Sequence, residues 1–188
     1  MPKIRDARFL ILATDGFEQL ELTVPRDELR KTGARVDVAT PTGHSIRGWD
    51  KTDWGETVPA DLKIANAKAD DYDALVLPGG VINPDKLRID DDAMRMVKSF
   101  LNSGKVIAAI CHGPWLLVQA DAVRGRKMTS FKSIRKDLEN AGAQWVDKEV
   151  VTDDGIITSR SPGDLSAFVA KIVEEVEEGR HRQRVAAE

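Results

Sequence analysis

Short apolar runs that alternate with amphipathic segments constrain the fold of this chain more than any other feature. Strand-like runs lie at 9–13, 35–39, 74–77 and 106–110, and turn or polar residues follow each of them. Short apolar runs bounded by turns are typical of strands buried on both faces of a sheet. Segments with helical spacing lie between and after them, at 20–32, 90–102, from 113 onward, 133–141 and 164–178. Strands alternating with helices predict a mostly parallel sheet in an α/β fold, with helices on both faces.

Other segments refine this prediction. Pro25 lies inside the first helical segment, and we expect a break or a restarted helix there. The polar stretch 45–58 is predicted to form a small β-hairpin arm, and 150–157 to form a second hairpin. No repeat or linker divides the chain, so we expect a single domain over 1–188 that ends in a frayed tail at 180–188.

Composition excludes several functional classes. The chain has 188 residues, of which 41% are hydrophobic and 5% aromatic, and its formal net charge is -3. A net charge this close to zero, with so few aromatic residues, does not indicate binding to nucleic acid or to an anionic membrane. The longest purely apolar run, 106–111, is too short to span a bilayer. The N-terminus carries no signal-peptide pattern, so we expect a cytoplasmic protein. One cysteine and three scattered histidines predict neither an internal disulfide nor a metal site, and no cofactor.

The single cysteine lies in the segment with the most chemical character. Cys111, His112, Gly113 and Pro114 follow a buried strand and open a helix. A tight turn of this kind resembles a nucleophile elbow, and the helix N-terminus favours a thiolate. The alternative is that Cys111 is a small buried core residue. His112 is either the partner of the sulfur or a capping or surface histidine.

Two further segments follow buried strands and should meet Cys111 at one edge of the sheet. Glu18 comes after the first strand, and an ionised carboxylate beside a thiol would raise the pKa of the thiol. If the two groups touch, Glu18 should therefore be protonated and donate to sulfur. The alternative is a solvated glutamate at a helix start. Gly79 and Gly80 follow another strand and could offer backbone amides to an oxyanion, or form a simple turn.

Segments across most of the chain resemble the ThiJ/PfpI family of the class I glutamine-amidotransferase-like superfamily. They are DGFEQLEL at 15–22, DALVLPGG at 73–80, AICHGP at 109–114, and VRGRKMTS at 123–130 followed by NAGA and WVD at 140–147. The similarity is strongest to the branch of PfpI-like intracellular proteases and general stress proteins. It implies a flavodoxin-like three-layer sandwich with a mostly parallel sheet, assembled as a homodimer or a larger homo-oligomer.

The resemblance also implies roles for individual residues. Cys111 matches the nucleophile, His112 its catalytic partner, and Glu18 the glutamate that hydrogen-bonds the cysteine. Glycines at 79, 80 and 113 match the oxyanion and binding side. In the protease branch, a glutamate from a neighbouring subunit completes a triad. The nearest match here is Asp85, which is one methylene shorter and follows a longer loop.

Three functions are compatible with these residues. The leading expectation is a stress-response enzyme that needs no cofactor and acts on reactive carbonyls or glycation adducts, as a glyoxalase or deglycase, through Cys111. The second is an intracellular cysteine peptidase that acts on small peptides with Asp85 in its triad. The third is a non-enzymatic peroxide sensor that oxidises at Cys111.

Overall fold

The structure, a computed structural model, describes residues 3–179. The predicted tail at 180–188, which includes His181, lies outside the described residues. Twelve strands are present: β1 Arg8–Leu12, β2 Phe17–Glu18, β3 Arg35–Thr40, β4 Ile46–Asp50, β5 Asp53–Val58, β6 Leu62–Lys63, β7 Ala74–Leu77, β8 Val106–Ile110, β9 Lys127–Met128, β10 Gln144–Trp145, β11 Val150–Asp153 and β12 Ile156–Ser159. Six α-helices accompany them: α1 Gln19–Lys31, α2 Ile82–Leu87, α3 Asp91–Ser103, α4 Trp115–Gln119, α5 Arg135–Asn140 and α6 Leu165–Glu178.

A seven-stranded sheet forms the centre of the molecule, with the order β11-β12-β8-β7-β1-β3-β6. Every neighbouring pair is parallel except β11 and β12, which form the predicted hairpin. The predicted parallel sheet is therefore confirmed. The chain moves from β1 to β3 on one side and then returns to β7 on the other, so the order reverses at β1. Ligand sites in open parallel sheets lie outside the carboxyl ends of the strands at such a reversal.

Alternate residues of the central strands feed two apolar layers. Leu10 and Leu12 of β1 pack in the layer that contains α3 and α4, whereas Phe9 and Ile11 pack in the layer that contains α1 and α6. This period of two is what a strand buried on both faces requires. The helices complete a three-layer sandwich, which confirms the predicted fold. Among residues 3–179, no helix combines the length and apolarity needed to cross a bilayer.

The predicted break at Pro25 is wrong. Helix α1 runs without interruption from Gln19 to Lys31, and Pro25 is buried within it. Proline fixes φ near the helical value and removes one backbone donor, so its main cost is one lost hydrogen bond to the carbonyl four residues earlier. That carbonyl belongs to Glu21. Packing of the buried face of α1 against the sheet outweighs this loss.

The predicted hairpin arm at 45–58 is confirmed by β4 and β5, which pair antiparallel. The arm extends a small second sheet, because β2 pairs parallel with β4. Trp49 and Trp54 face one another across the arm with ring centroids 5.5 Å apart in an edge-to-face arrangement. The small sheet matters for the site, since it fixes the extended chain at Phe17–Glu18 immediately before α1.

Candidate active site

Loops from three adjacent strands form the candidate site, as the sequence predicts. Strands β1, β7 and β8 are neighbours in the sheet, and their carboxyl ends lead into 13–18, 78–81 and 111–114. The loops are joined directly: the backbone N–H of Glu18 donates to the carbonyl of Gly79 over 3.3 Å. The site is therefore built on rigid strand ends, where side-chain positions are well determined.

Cys111 occupies a strained turn between β8 and α4. Its φ of 63° lies in the left-handed region, which is uncommon for a residue with a side chain. Two neighbouring segments hold it there: its N–H donates to Ser159 (3.0 Å) and its carbonyl accepts from the N–H of Phe131 (2.9 Å). Strain of this kind persists only where the surroundings impose it, and it is common at reactive residues. The elbow predicted from the sequence is thus present.

Glu21, and not Glu18, is the carboxyl group that meets the cysteine. Its side chain is fully buried and interacts with the Cys111 thiol. Oε2 accepts a hydrogen bond from the N–H of Gly79 over 2.9 Å, whereas Oε1 has no hydrogen-bond partner among the described residues. Burial, followed by the nearby charge of Glu18, raises the pKa of Glu21 well above its ordinary value. A carboxyl group in this environment is held in its neutral form.

The predicted contact between Glu18 and Cys111 is therefore wrong. Glu18 is the N-cap of α1, and its Oε2 accepts from the backbone N–H of Glu21 over 2.9 Å. Pairing with β4 keeps residues 17–18 extended, so the helix begins at Gln19. The Glu18 side chain consequently folds back on the first turn, and the residue three positions later points toward the sheet. The alternative interpretation of Glu18, a solvated glutamate at a helix start, is confirmed in its position at the N-cap, but the side chain is half-buried.

His112 lies beside the sulfur. Its Nδ1 is 3.1 Å from Cys111 Sγ, and its Nε2 is 3.0 Å from the hydroxyl of Ser133. The ring is held between Trp115, edge-to-face at 5.0 Å, and Phe131, stacked at 5.1 Å. Burial lowers the pKa of His112, and the charge of Asp137 opposes this shift. A neutral imidazole at hydrogen-bond distance from a thiol can accept its proton.

The thiol itself is not pre-ionised, which contradicts the prediction of a pKa lowered by the helix N-terminus. Burial raises the pKa of Cys111. Backbone N–H groups of Gly80 and His112 point at the sulfur and act in the opposite direction. Helix α4 is only five residues long, so its dipole does not offset the desolvation of a side chain that is 6% exposed.

The three predicted oxyanion glycines have different positions. Only Gly80 presents its N–H to the sulfur. The N–H of Gly79 is taken by Glu21, and that of Gly113 donates to Ile110 over 2.8 Å, so neither is available to an oxyanion. Both N–H groups are therefore already paired, which argues against the oxyanion role of Gly79 and Gly113, while a binding role stays a prediction. Both positions instead require the absence of a side chain: a Cβ on Gly79 would lie 2.5 Å from Cys111 Cβ, and one on Gly113 would clash with the Leu77 carbonyl.

Within its own chain, Asp85 pairs with Arg88 and not with Cys111. It lies on α2, its side chain is 59% exposed, and its carboxylate pairs with Arg88 at 3.2 Å. The Arg88 guanidinium lies in turn over the ring of Trp115, 4.7 Å from the centroid. The role of Asp85 in a neighbouring subunit stays a prediction. In the described range 3–179, no cluster of three His, Cys, Asp or Glu side chains could hold a metal ion.

Sequence reasoning missed three residues of the site. Glu21 could have been found from helical periodicity, since it lies four residues before the buried Pro25 and therefore on the same face. Asn83 is fully buried behind the glycine loop, and Ser133 contacts His112 from a distant segment. No local pattern marks these two, because the contacts depend on which loops the fold brings together.

Comparisons with known proteins agree with this geometry. A sequence profile of the DJ-1/PfpI family matches residues 7–175. "Protein/nucleic acid deglycase 2" of Escherichia coli is 45% identical over 164 residues, which cover 86% of this chain and 92% of the relative. A Bacillus subtilis relative provisionally named cysteine protease YraA is 41% identical over 162 residues, covering 86% and 93%. The crystal structure of Drosophila melanogaster DJ-1beta superimposes with a TM-score of 0.82 at 30% identity, covering 92% of this chain and 95% of that one. The chain belongs to the DJ-1/PfpI family.

Proposed function

We propose that this protein is a stress-response cysteine enzyme of the deglycase type, which acts on reactive carbonyls and early glycation adducts through Cys111. One observation carries the proposal: the Cys111 thiol lies between a neutral acid and a neutral base. Glu21 is the buried acid, and His112 Nδ1, 3.1 Å from Sγ, is the base. Addition of a thiol to an aldehyde and the subsequent movement of protons need these two kinds of group. The name of the E. coli relative agrees with such a reaction.

Addition to the aldehyde of methylglyoxal is the first step. His112 Nδ1 accepts the thiol proton as Sγ forms a bond to the aldehyde carbon, and the carbonyl π electrons move to oxygen. The resulting alkoxide takes the proton back from His112, which gives a hemithioacetal. The backbone N–H groups of Gly80 and His112 stabilise the sulfur while it is negatively charged. The raised pKa of Cys111 requires a base at this distance, since little thiolate forms without one.

Proton transfer within the hemithioacetal completes the reaction. His112 removes the proton from the former aldehyde carbon, and the protonated carboxyl of Glu21 donates a proton to the neighbouring carbonyl oxygen, which gives an enediol. His112 then protonates the neighbouring carbon, and the hydroxyl on the sulfur-bearing carbon returns a proton to Glu21. The product is a thioester of Cys111, which water hydrolyses to a 2-hydroxy acid and the free thiol. The sum is methylglyoxal plus water giving lactate, so the steps consume no oxidant or reductant. They need only water and groups of this chain.

Glycation adducts reach the same hemithioacetal by a different first step of the reaction. In an adduct of methylglyoxal with an amine, the aldehyde carbon carries a hydroxyl group and the amine nitrogen. Sγ bonds to that carbon, the carbon–nitrogen bond breaks, and the released amine takes a proton. The enzyme then holds the same hemithioacetal. A single site can therefore act on the free dicarbonyl and on its adducts with proteins or other amines.

Turnover of methylglyoxal by wild-type protein and by Cys111→Ala tests the proposal. Lactate formation, and release of free amine from a preformed adduct, should depend on the cysteine. Cys111→Ser, purified in the same way, is the conservative control because it keeps a hydroxyl nucleophile of similar size. Full turnover by either variant would refute Cys111 as the nucleophile. A fluorogenic peptide assayed in parallel tests the alternative chemistry.

A cysteine peptidase is the second candidate, and it requires an assembly. Asp85 faces solvent on α2 next to exposed apolar side chains, among them Val81 (56% exposed) and Ile89 (81% exposed). Such a surface fits a second copy of the chain, and we propose a homodimer in which this face is buried. Loss of dimerisation in Ile89→Asp, measured by sedimentation, would support that interface. Peptide cleavage that disappears in Asp85→Asn would support a triad shared between subunits.

Peroxide sensing is the least favoured reading of the site. Sensor cysteines are accessible and have a low pKa. Cys111 is almost fully buried, and burial raises its pKa. Mass spectrometry after mild peroxide treatment should therefore find little selective oxygen addition at Cys111. Rapid and selective sulfinate formation would instead move this function ahead of the enzymatic ones.

A further inference from the structure

We propose that Asn83 is a positioning residue for the catalytic pair: its carboxamide fixes two peptide planes that aim N–H groups at Glu21 and Cys111. The inference deepens the proposed function, on which it rests for its catalytic consequence. The contacts of Asn83 themselves are independent of any substrate. Nothing in the local sequence marks this residue, which lies three positions after the glycine pair.

The side chain of Asn83 is fully buried and uses its whole carboxamide. Its Nδ2 donates to the carbonyl of Pro78 over 3.0 Å and to that of Gly79 over 3.2 Å. Its Oδ1 accepts from the backbone N–H of Thr14 over 2.8 Å. One side chain thus ties the loop after β7 to the loop after β1. Only a carboxamide supplies two donor hydrogens and an acceptor in one plane of this size.

Planarity of the peptide bond transmits this anchoring to the site. In a trans peptide the carbonyl and the following N–H point in opposite directions, and residues 3–179 contain no cis peptide. Holding the Pro78 carbonyl on Asn83 therefore turns the N–H of Gly79 away from it, toward Glu21 Oε2 at 2.9 Å. Holding the Gly79 carbonyl likewise turns the N–H of Gly80 toward the sulfur.

The glycine pair needs such an anchor because hydrogen bonds, rather than side-chain packing, hold its peptides in place. Neither Gly79 nor Gly80 has a side chain to pack, and Gly80 has a φ of 77°. Glycine peptides can rotate between several conformations at little steric cost. The N–H of Glu18 also donates to the Gly79 carbonyl, but over 3.3 Å. Without Asn83, we expect the Gly79–Gly80 peptide to rotate, which would remove one of the two backbone donors from the sulfur.

Alkylation of the thiol provides a test that needs no substrate. The chain has one cysteine, so the rate of reaction with iodoacetamide reports Cys111 alone. In Asn83→Ala the rate at neutral pH should fall about tenfold, because loss of a hydrogen bond to a charged group lowers the thiolate fraction by that order. The pH profile should shift to higher pH. Glu21 and His112, the titratable groups that face the sulfur, are retained in the variant, so the shift reports the loss of the backbone N–H groups aimed at Cys111 and Glu21.

Two further variants make the result specific. Asn83→Leu keeps a similar volume, adds no charge and removes the hydrogen bonds to Pro78, Gly79 and Thr14, and it should reproduce the effect if Asn83→Ala folds poorly. Tyr72→Phe removes a buried hydrogen bond of 3.0 Å to Asp37 at the opposite end of the sheet. It serves as a control for general destabilisation and should leave the alkylation profile unchanged. In the Asn83 variants, kcat for methylglyoxal should fall with little change in KM.

The outcomes separate the two proposals. If folded Asn83→Ala and Asn83→Leu are alkylated like the wild type, the positioning role is refuted. An equal shift in Tyr72→Phe would also refute it, because the effect would then reflect stability alone. If the wild type does not turn over methylglyoxal but the alkylation profile shifts as expected, the proposed function fails while the role of Asn83 stands.

Discussion

Replacing Glu21 by glutamine should change the pH dependence of stability in a way that identifies the buried acid. The substitution preserves shape, and the amide oxygen can accept the hydrogen bond that Glu21 Oε2 receives from Gly79 over 2.9 Å. It removes the ionisable proton from a fully buried position. The amide NH2 then occupies the place of Oε1, which has no partner among the described residues. Leaving that amide unpaired has a cost, but the cost is the same at every pH.

The magnitude follows from linkage between protonation and folding. Burial raises the pKa of Glu21 above its ordinary value of 4.5, so above pH 4.5 the native state keeps a proton that the unfolded chain has released. The free energy of unfolding therefore falls as pH rises, by at most about 1.4 kcal/mol per pH unit, until the native pKa is reached. Glu21→Gln lacks this loss. Relative to wild type, the variant should gain up to about 1.4 kcal/mol per pH unit over the range in which native Glu21 keeps its proton.

Urea unfolding of both proteins at several pH values from 4.5 upward measures this difference. His112 and Glu18 titrate in both proteins, so their contributions largely cancel in the comparison. Glu18→Gln is the matched control and should show a smaller change in the slope of unfolding free energy against pH. Glu18 is only half-buried, and its carboxylate accepts hydrogen bonds from backbone N–H groups that oppose the rise in its pKa. Turnover by Glu21→Gln should fall by about 100-fold or more if the carboxyl group moves protons. Parallel stability curves for wild type and Glu21→Gln would show that the carboxyl is already ionised and would refute the reasoning.

Three more changes have expected outcomes. Cys111→Gly should be more stable than Cys111→Ala by about 1 kcal/mol in urea unfolding, since glycine adopts the φ of 63° without strain; equal stability would contradict a strained elbow. Gly113→Ala should lower the free energy of unfolding by about 1–3 kcal/mol or more, because its Cβ clashes with the Leu77 carbonyl, and a stability like that of wild type would contradict the tight turn. Burial lowers the pKa of His112, so the unfolded chain binds a proton that the native state does not, and stability is lost as pH falls below 6.5. His112→Gln should weaken that acid-side loss in thermal melts at a series of pH values, and an unchanged loss would argue against a buried neutral imidazole.

The sheet could be predicted from sequence because its signals are local. Residues 106–110 form an uninterrupted apolar run, and Val106–Ile110 is fully buried as β8. Asp90 caps α3 by accepting from Ala93, and Gly104 ends that helix in the left-handed conformation, as their types indicate. Helix α2 was not predicted, since Pro84 lies inside it. Proline near the start of a helix removes only a donor that has no intrahelical partner, so the segment is helical despite it.

The part of the site that follows from the local path of the backbone was predicted. The part that depends on which side chain faces the sulfur was missed. Cys111 and His112 are consecutive, and the elbow that brings them together is a local structure with a local signal. The choice between Glu18 and Glu21 depends on where α1 begins, which the pairing of β2 with β4 decides. The helix was predicted to begin at 20, within one residue of the observed Gln19, but the family resemblance assigned the acid to the capping residue Glu18 and not to Glu21, one turn later. The physical requirement was nevertheless right: a carboxyl group that touches this thiol must be protonated, and Glu21 meets it.

The same reasoning explains why the reactivity of Cys111 cannot be inferred from its motif. A cysteine at a strand–helix turn suggests a low pKa, but here burial raises the pKa of Cys111. The sulfur is instead controlled by groups from three loops: Glu21 after β1, the N–H of Gly80 after β7 and His112 after β8. Each of these three segments contributes a different kind of group: a carboxylic acid, a backbone N–H dipole and an imidazole base. The raised pKa therefore favours a neutral resting thiol, and His112 Nδ1 is the neutral base at hydrogen-bond distance from it.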